Sequence, residues 1–168
     1  MHKEIDWDDL FMAMTFLVAM KSKDPNTRLG AVIVGLDHEV RSVGFNGLAR
    51  GLYDDIEERS TGEDKYMWFE HAERNAIYNA SRVGIPLKDC TLYVNGIPCM
   101  DCARGVIQSG ISEVVYHKTW FGDNSKRWKI TCNTAKEMLI EAGIRLRWYD
   151  KPITKITALL FGKEYNIT

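Results

Sequence analysis

Long apolar runs are missing from this chain. The longest, Leu10 to Met20, covers eleven residues and is broken by Thr15. A bilayer span needs about 20 apolar residues, so no transmembrane helix is expected. The start, Met1-His2-Lys3-Glu4-Ile5-Asp6, lacks the positive charge and the small-residue cleavage site of a secretory signal. A cytoplasmic protein is therefore expected. Cysteine is sparse, with four in 168 residues, which is too few for a disulfide scaffold. Only four prolines occur and no tract is of low complexity, so no Pro-rich linker is present. An excess of one charge is also missing, with 22 Lys plus Arg against 23 Asp plus Glu. That balance argues against a duplex-coating nucleic-acid binder, which needs a basic field. It leaves room for a small anionic substrate held by a few placed cations.

What remains is an ordinary globular composition, 45% hydrophobic and 27% charged. The length suits one compact domain with a real core. Trp7, Leu10, Phe11, Met14, Leu17 and Val18 follow helical spacing, and Asp6 with Asp9 resembles a capping box. Ser22-Lys23-Asp24-Pro25-Asn26 breaks that helix. Ala31 to Val34 and Val40 to Phe45 read as strands joined by a Gly35–Glu39 hairpin loop. The polar stretch 44–65 reads as a functional or mobile loop. A helix is expected over His71 to Val83, ended by Gly84 and Pro86. Then come a strand over Thr91 to Val94, a helix over Asp101 to Ser109, a strand over Glu113 to His117 and a helix over Thr131 to Ala142. Ile144, Leu146 and Trp148 alternate with arginines, as in a half-buried strand. The order α-β-β-α-β-α-β-α-β predicts an α/β domain over 1–150 with an antiparallel opening hairpin and later parallel pairs. Residues 151–168 form an extension in which Ile153, Ile156, Leu159 and Leu160 suit a short docking helix.

The chemistry concentrates in His71-Ala72-Glu73 and Pro98-Cys99-Met100-Asp101-Cys102. One imidazole and two thiolates make three zinc ligands, and catalytic zinc sites keep three protein ligands with the fourth position open to water. Both segments fall at predicted helix N-termini, where the positive helix end favours thiolate and a zinc-bound hydroxide. Glu73, two residues past His71, can reach the open face without being a ligand and so can carry protons. The H-x-E…P-C-x-x-C pattern is the signature of zinc nucleobase deaminases. Two blander readings compete. A C-x-x-C alone is often structural zinc or a redox pair, and a four-cysteine site would recruit Cys90 and Cys132. Those two are not spaced as a pair, and that reading leaves His71 and Glu73 unused. Cys90 and Cys132 are expected to be buried structural thiols.

With those segments in place, the chain resembles the deoxycytidylate deaminases of the cytidine deaminase superfamily, bacterial and phage type, from about Trp7 to Trp148. Ser22 to Val34 is similar to the family's first-strand block, and Gly44-Phe45-Asn46-Gly47-Leu48-Ala49-Arg50-Gly51 to its G-[YFW]-N-G-x-P-x-G block. His71 to Ile77, Thr91 to Gly110 and Glu137 to Arg147 match further blocks. The resemblance implies a three-layer α-β-α fold on a five-stranded mixed sheet. It implies hydrolysis of dCMP to dUMP and ammonia for thymidylate synthesis, with His71, Cys99 and Cys102 on zinc and Glu73 as proton shuttle. Asn46 would contact the sugar hydroxyl and Asn75 would line the site. The dianionic 5′-phosphate needs cations or donors, for which Lys23, Asn26, Thr27 and Arg28 are candidates, as are His117, Lys118 and Trp120 on the other side. Many members are homo-oligomers, from dimers to hexamers, activated by dCTP and inhibited by dTTP with a magnesium ion on the triphosphate. The segment Arg50-Gly51-Leu52-Tyr53-Asp54-Asp55 resembles the one carrying that site, with Arg50, Gly51, Asp54 and Asp55 as its candidates.

Departures from the family pattern bear on substrate detail. Ala49 replaces a usual proline, which predicts a less stiff loop. Glu70 and Arg74 flank the His-Ala-Glu segment at i, i+4 spacing. They are expected either to pair along the helix or to reshape the pocket for a 5-substituted dCMP. A second class of reading is a nucleic-acid-directed deaminase similar to the tRNA adenosine deaminases, with Lys126-Arg127-Trp128-Lys129 as a basic, aromatic patch. The neutral total charge favours a plain helix start there. A third is a non-enzymatic zinc-stabilised module, which leaves Glu73 unexplained.

Overall fold

The computed structural model describes residues 4–117 and 126–166. Helix α1 (Trp7–Ala19) leads into strands β1 (Gly30–Val34) and β2 (Val40–Phe45). The following segment holds β3 (Gly47–Leu48), a 3-10 turn over Glu57–Arg59, α2 (Lys65–Trp68) and β4 (Phe69–Glu70). Then come α3 (Ala72–Val83), β5 (Thr91–Val94), α4 (Met100–Gln108), β6 (Glu113–His117), α5 (Lys126–Glu141) and β7 (Arg145–Tyr149). The main sheet has five strands in the order β2-β1-β5-β6-β7. β1 is antiparallel to both neighbours, whereas β5-β6 and β6-β7 are parallel. The expected mixed sheet is therefore present.

Strand alternation assembles the layers. Ala31 and Ile33 of β1 join Leu92, Val94, Val114 and Tyr116 on the face covered by α3, α4 and α5. Val32 and Val34 join Tyr93 and Val115 on the other face, against Phe11 and Met12 of α1. Every residue of β1 and β6 is buried, as strands covered on both faces require. Among the described residues, no helix is long and apolar enough to cross a membrane.

β2 lies against α3 at backbone contact. A Cβ at Gly44 would stand 2.3 Å from the Ala76 amide nitrogen and 2.4 Å from the Ala72 carbonyl oxygen. Neither backbone atom can yield without moving α3. Gly44→Ala is therefore expected to destabilise the domain by about 2 kcal/mol or more, read as a lower midpoint in urea unfolding.

Four expectations need correction. Asp6 and Asp9 form no capping box, since α1 has no side-chain cap. Both carboxylates are drawn to distant partners: Asp6 to Lys151 at 2.8 Å, and Asp9 to Lys151 at 3.0 Å and the Tyr149 hydroxyl at 2.9 Å. α5 begins at Lys126 rather than Thr131, so the basic Lys-Arg-Trp-Lys run lies on its first turn. On β7, Trp148 is 62% exposed. The arginine row closes against α1 instead, with Arg147 bridging Glu113 of β6 and Asp8 of α1. Finally, the extension holds a hairpin of β8 (Thr157–Leu160) and β9 (Lys163–Asn166), not a helix. Phe161 and Gly162 both take positive φ, the conformation a two-residue hairpin turn demands. The stretch 44–65 consists largely of turns, as read from the sequence, and β3 within it pairs with β4 just before His71.

Candidate active site

Two helix starts build the site. His71 and Cys99 are the N-cap residues of α3 and α4, both extended, and neither side chain caps its helix. Each side chain turns instead toward the other, and Cys102 joins from the first turn of α4. The His71 Nδ1 lies 3.4 Å from each of Cys99 Sγ and Cys102 Sγ, and the sulfurs are 3.7 Å apart. Tetrahedral zinc with ordinary bond lengths has S–S edges of about 3.8 Å and S–N edges of about 3.6 Å, so the three atoms fit that ion with one corner left over. Among the described residues this is the one cluster of three metal-ligating side chains. The cap that His71 gives up is replaced by Glu70, whose carboxylate accepts the His71 amide at 2.9 Å and pairs with Arg74. The expected i, i+4 pair is thus real, and it braces the ligand's backbone.

The electrostatics suit a cation. The bond from Cys102, followed by the one with His71, brings the Cys99 thiol down to about 3 despite its burial. Burial, then the bond given to Cys99, pushes Cys102 well above the usual thiol range. Burial pulls the His71 imidazole down, but the Cys99 hydrogen bond and the Glu73 charge outweigh it and leave the group raised. Glu73 is 2% exposed, and burial pushes its carboxyl above the usual range. Its carboxyl touches the Cys102 side chain, yet Oε2 has no hydrogen-bond partner. A buried carboxylate oxygen without a partner costs free energy unless a ligand completes it.

One aromatic ring stands beside His71. Trp128 of α5 lies 6.0 Å from the His71 ring and 6.0 Å from Tyr66 of α2. Sequence reasoning treated Trp128 as part of a basic surface run; the structure turns it, half-buried, toward the metal ligand. Cys90 is buried as expected, while Cys132 on α5 is half-buried.

The substrate candidates separate into four places. Asn46 is buried, donating to Asp24 and to the Thr27 carbonyl and accepting from the Leu29 amide at 2.8 Å. Thr27 contributes its backbone to the same knot. Asn26 and Arg28 line a cavity of about 370 Å³ beside Asn95, at the carboxyl end of β5. Lys23 points elsewhere, into an ion pair with Asp54 at 2.6 Å. That pair borders a second cavity of about 480 Å³, also lined by Arg50, Gly51, Asn75 and Arg82. There Arg50 donates to Asn79 and Asn75 to the Phe45 carbonyl, each at 2.8 Å. Asp55 does not line it. His117 ends β6 on the α1 face, edge-on to Phe16, away from the face that carries the cluster. Lys118 and Trp120 lie outside the described residues. Sequence reasoning missed Asp24 and Lys65, a buried ion pair at 2.9 Å. The Asp24-Pro25 turn hinted at the first; no local signal marked the second.

A mixed sheet with three soft ligands and a buried, unpaired carboxylate at two helix N-termini defines the class of metal-dependent nucleobase deaminases. Comparison with known proteins agrees. Residues 5–118 match the family model described as the cytidine and deoxycytidylate deaminase zinc-binding region. The chain is 36% identical to the deoxycytidylate deaminase of Homo sapiens over 158 residues, spanning 90% of this chain and 84% of that one. It is 37% identical over 153 residues to the probable deoxycytidylate deaminase of Drosophila melanogaster, spanning 85% and 72%. Its fold is similar to that of the dCMP deaminase from the cyanophage S-TIM5 solved in complex with dCMP and dUMP. The TM-score is 0.70 at 21% identity, covering 88% of this chain and 100% of that chain. The chain belongs to the cytidine and deoxycytidylate deaminase family.

Proposed function

We propose that this protein hydrolyses dCMP to dUMP and ammonia, with zinc held by His71, Cys99 and Cys102. The observation that carries this reading is the unpaired Oε2 of buried Glu73 beside a three-ligand cluster with one open corner. Zinc in that cluster supplies the Lewis acidity that makes water nucleophilic near neutral pH. Glu73 does the proton work: its carboxylate takes a proton from the attacking water and delivers it to N3 of the cytosine, then takes the proton of the hydroxyl added at C4 and passes it to the departing 4-amino group. Its burial keeps bulk water out of that exchange, and the raised carboxyl favours holding the proton between the two transfers. Trp128 supplies a ring face beside His71 on which a planar base can pack, and Tyr66 sits edge-on to Trp128. The identity to the human and fly relatives supports dCMP rather than an RNA base as substrate.

The 480 Å³ cavity is the proposed place for nucleotide regulation. Arg50 and Arg82 suit a triphosphate and Asp54 a magnesium ion, with dCTP activating and dTTP inhibiting a homo-oligomer of cytoplasmic location. The test is a panel of dCMP, CMP, deoxycytidine, 5-methyl-dCMP and a tRNA anticodon stem-loop. Each is run with the zinc-loaded protein, with and without dCTP and magnesium. Conversion of dCMP to dUMP is expected, faster with dCTP. Turnover of the stem-loop and not of dCMP would overturn the reading. Turnover of dCMP unaltered by dCTP and dTTP would remove the regulatory part alone.

A further inference from the structure

Glu70 and Arg74 flank the His71-Ala72-Glu73 segment, and the proton chemistry of Glu73 needs neither. In the structure they form one network. Glu70 Oε1 accepts the His71 amide at 2.9 Å, and the same oxygen accepts Arg74 Nε. Each of the two side chains is only 22% exposed, so the pair is shielded from water over most of its surface. The Arg74 stem runs toward α4, where its Cγ lies 3.6 Å from the place a Cβ would take on Gly105. Its guanidinium comes 3.9 Å from Asp101 Oδ2, an ionic contact too long for a hydrogen bond. Asp101 stands between Cys99 and Cys102 in the first turn of α4, and its other oxygen pairs with Arg104. One guanidinium thus faces both the residue before the imidazole ligand and the residue between the two thiol ligands.

That placement matters because the ligands come from two helices. His71 and Cys99 are 28 positions apart in the chain, and neither is fixed by a capping bond of its own side chain. Metal–ligand distances tolerate errors of only about 0.2 Å, so the two helix starts must be held in register. An exposed i, i+4 ion pair adds little to stability and does nothing for such register. A pair that also takes the ligand's amide and reaches the opposite helix does both. We propose that Glu70 and Arg74 are positioning residues for the metal. Glu70 fixes the His71 backbone, and Arg74 holds Glu70 while facing Asp101. The imidazole and the two thiols are thereby preorganised for one ion and bind it more tightly than unbraced ligands would. This rests on zinc as the occupant of the cluster, as in the reading above, and not on the identity of the substrate.

Titration of the zinc-loaded full chain with a chromophoric chelator reads zinc affinity directly. Glu70→Ala and Arg74→Leu are each expected to weaken zinc binding by about 10–100-fold, the range for lost outer partners of metal ligands. Glu70→Gln keeps an oxygen for the His71 amide and is expected to stay within about 3-fold of the parent. Arg74→Lys keeps the charge but not the fork that serves two carboxylates, and is expected to lose about 5-fold or more. Glu70→Ala combined with Arg74→Leu is expected to lose little more than either alone, because the two side chains act as a unit. A pair needed only for stability would lower the thermal midpoint of the stripped protein and leave the zinc affinity of the folded chain unaltered. Stripped variants are expected to melt within about 3 °C of the stripped parent. Where Glu70→Ala or Arg74→Leu does not fold, Arg74→Lys against Glu70→Gln carries the test, the first losing affinity and the second keeping it. Affinities within about 2-fold of the parent would overturn the proposal. So would additive losses in the double variant, lowered midpoints at unaltered affinity, or failure of all four single variants to fold. A parent that holds no zinc would overturn the metal reading itself; a parent that holds zinc tightly, with variants that match it, overturns the brace alone.

Discussion

Glu73→Gln is expected to bind zinc as the parent does and to lose turnover of dCMP by about 10² to 10⁴-fold, the range that general acid–base catalysis supplies. The substitution keeps the volume of a side chain that is 2% exposed and packed at the start of α3, so the ligand geometry should survive. What it removes is a group able to accept a proton and return it. A stability effect of opposite sign should accompany the loss. Burial holds the folded carboxyl above its unfolded value, so above the ordinary carboxylate range the unfolded chain holds fewer protons than the folded one. Stability contributed by this group is present at low pH and falls as pH rises. Metal-free Glu73→Gln, which cannot ionise, should therefore unfold at a higher temperature than the metal-free parent at neutral pH. A stabilised and inactive variant is the mark of a residue kept for chemistry. Turnover within a few-fold of the parent would show that another group carries the proton.

Loss of a ligand should be as severe and should strike the metal first. Cys102 is fully buried in the first turn of α4, at the 3.7 Å and 3.4 Å corners of the cluster. Cys102→Ser shortens and hardens one ligand. It is expected to reduce zinc affinity by more than the about 10–100-fold typical of lost outer partners, and to abolish turnover at stoichiometric zinc. A chelator should do the same to the parent, reversibly, with a fall in thermal midpoint because the ion binds only the folded chain. Because both thiols must be free of protons to bind, zinc affinity should fall as pH is lowered. Metal analysis after gel filtration, with rates on the same samples, reads all three effects. Full activity in a zinc-free preparation would refute the assignment.

The first turn of α4 and the start of α3 show why the metal cluster was legible without coordinates. Cys99 and Cys102 are three apart and reach one ion from a single helical turn, and His71 and Glu73 straddle one N-terminus. Such local geometry follows from spacing alone. Lys65 and Asp24 show the opposite case. They are 41 positions apart, and nothing in the spacing of either predicts that one would be buried on the other. Trp128 is similar, since periodicity placed it on a polar run while its ring lies against His71, more than fifty residues earlier.

Periodicity, glycine stops and residue spacing by themselves determined the succession of the main-sheet strands and their helices along the chain, the mixed pairing, the candidate metal cluster and the carboxylate two residues past its histidine. These are consequences of backbone geometry over a few residues. Tertiary structure alone decided which phosphate candidates share a cavity, that Asp6 and Asp9 serve Lys151 and Tyr149 rather than a helix cap, and that the last segment closes as a hairpin. A charged or hydroxyl group takes whichever partner the fold brings within about 3 Å, and in low-dielectric surroundings that choice outweighs any local preference.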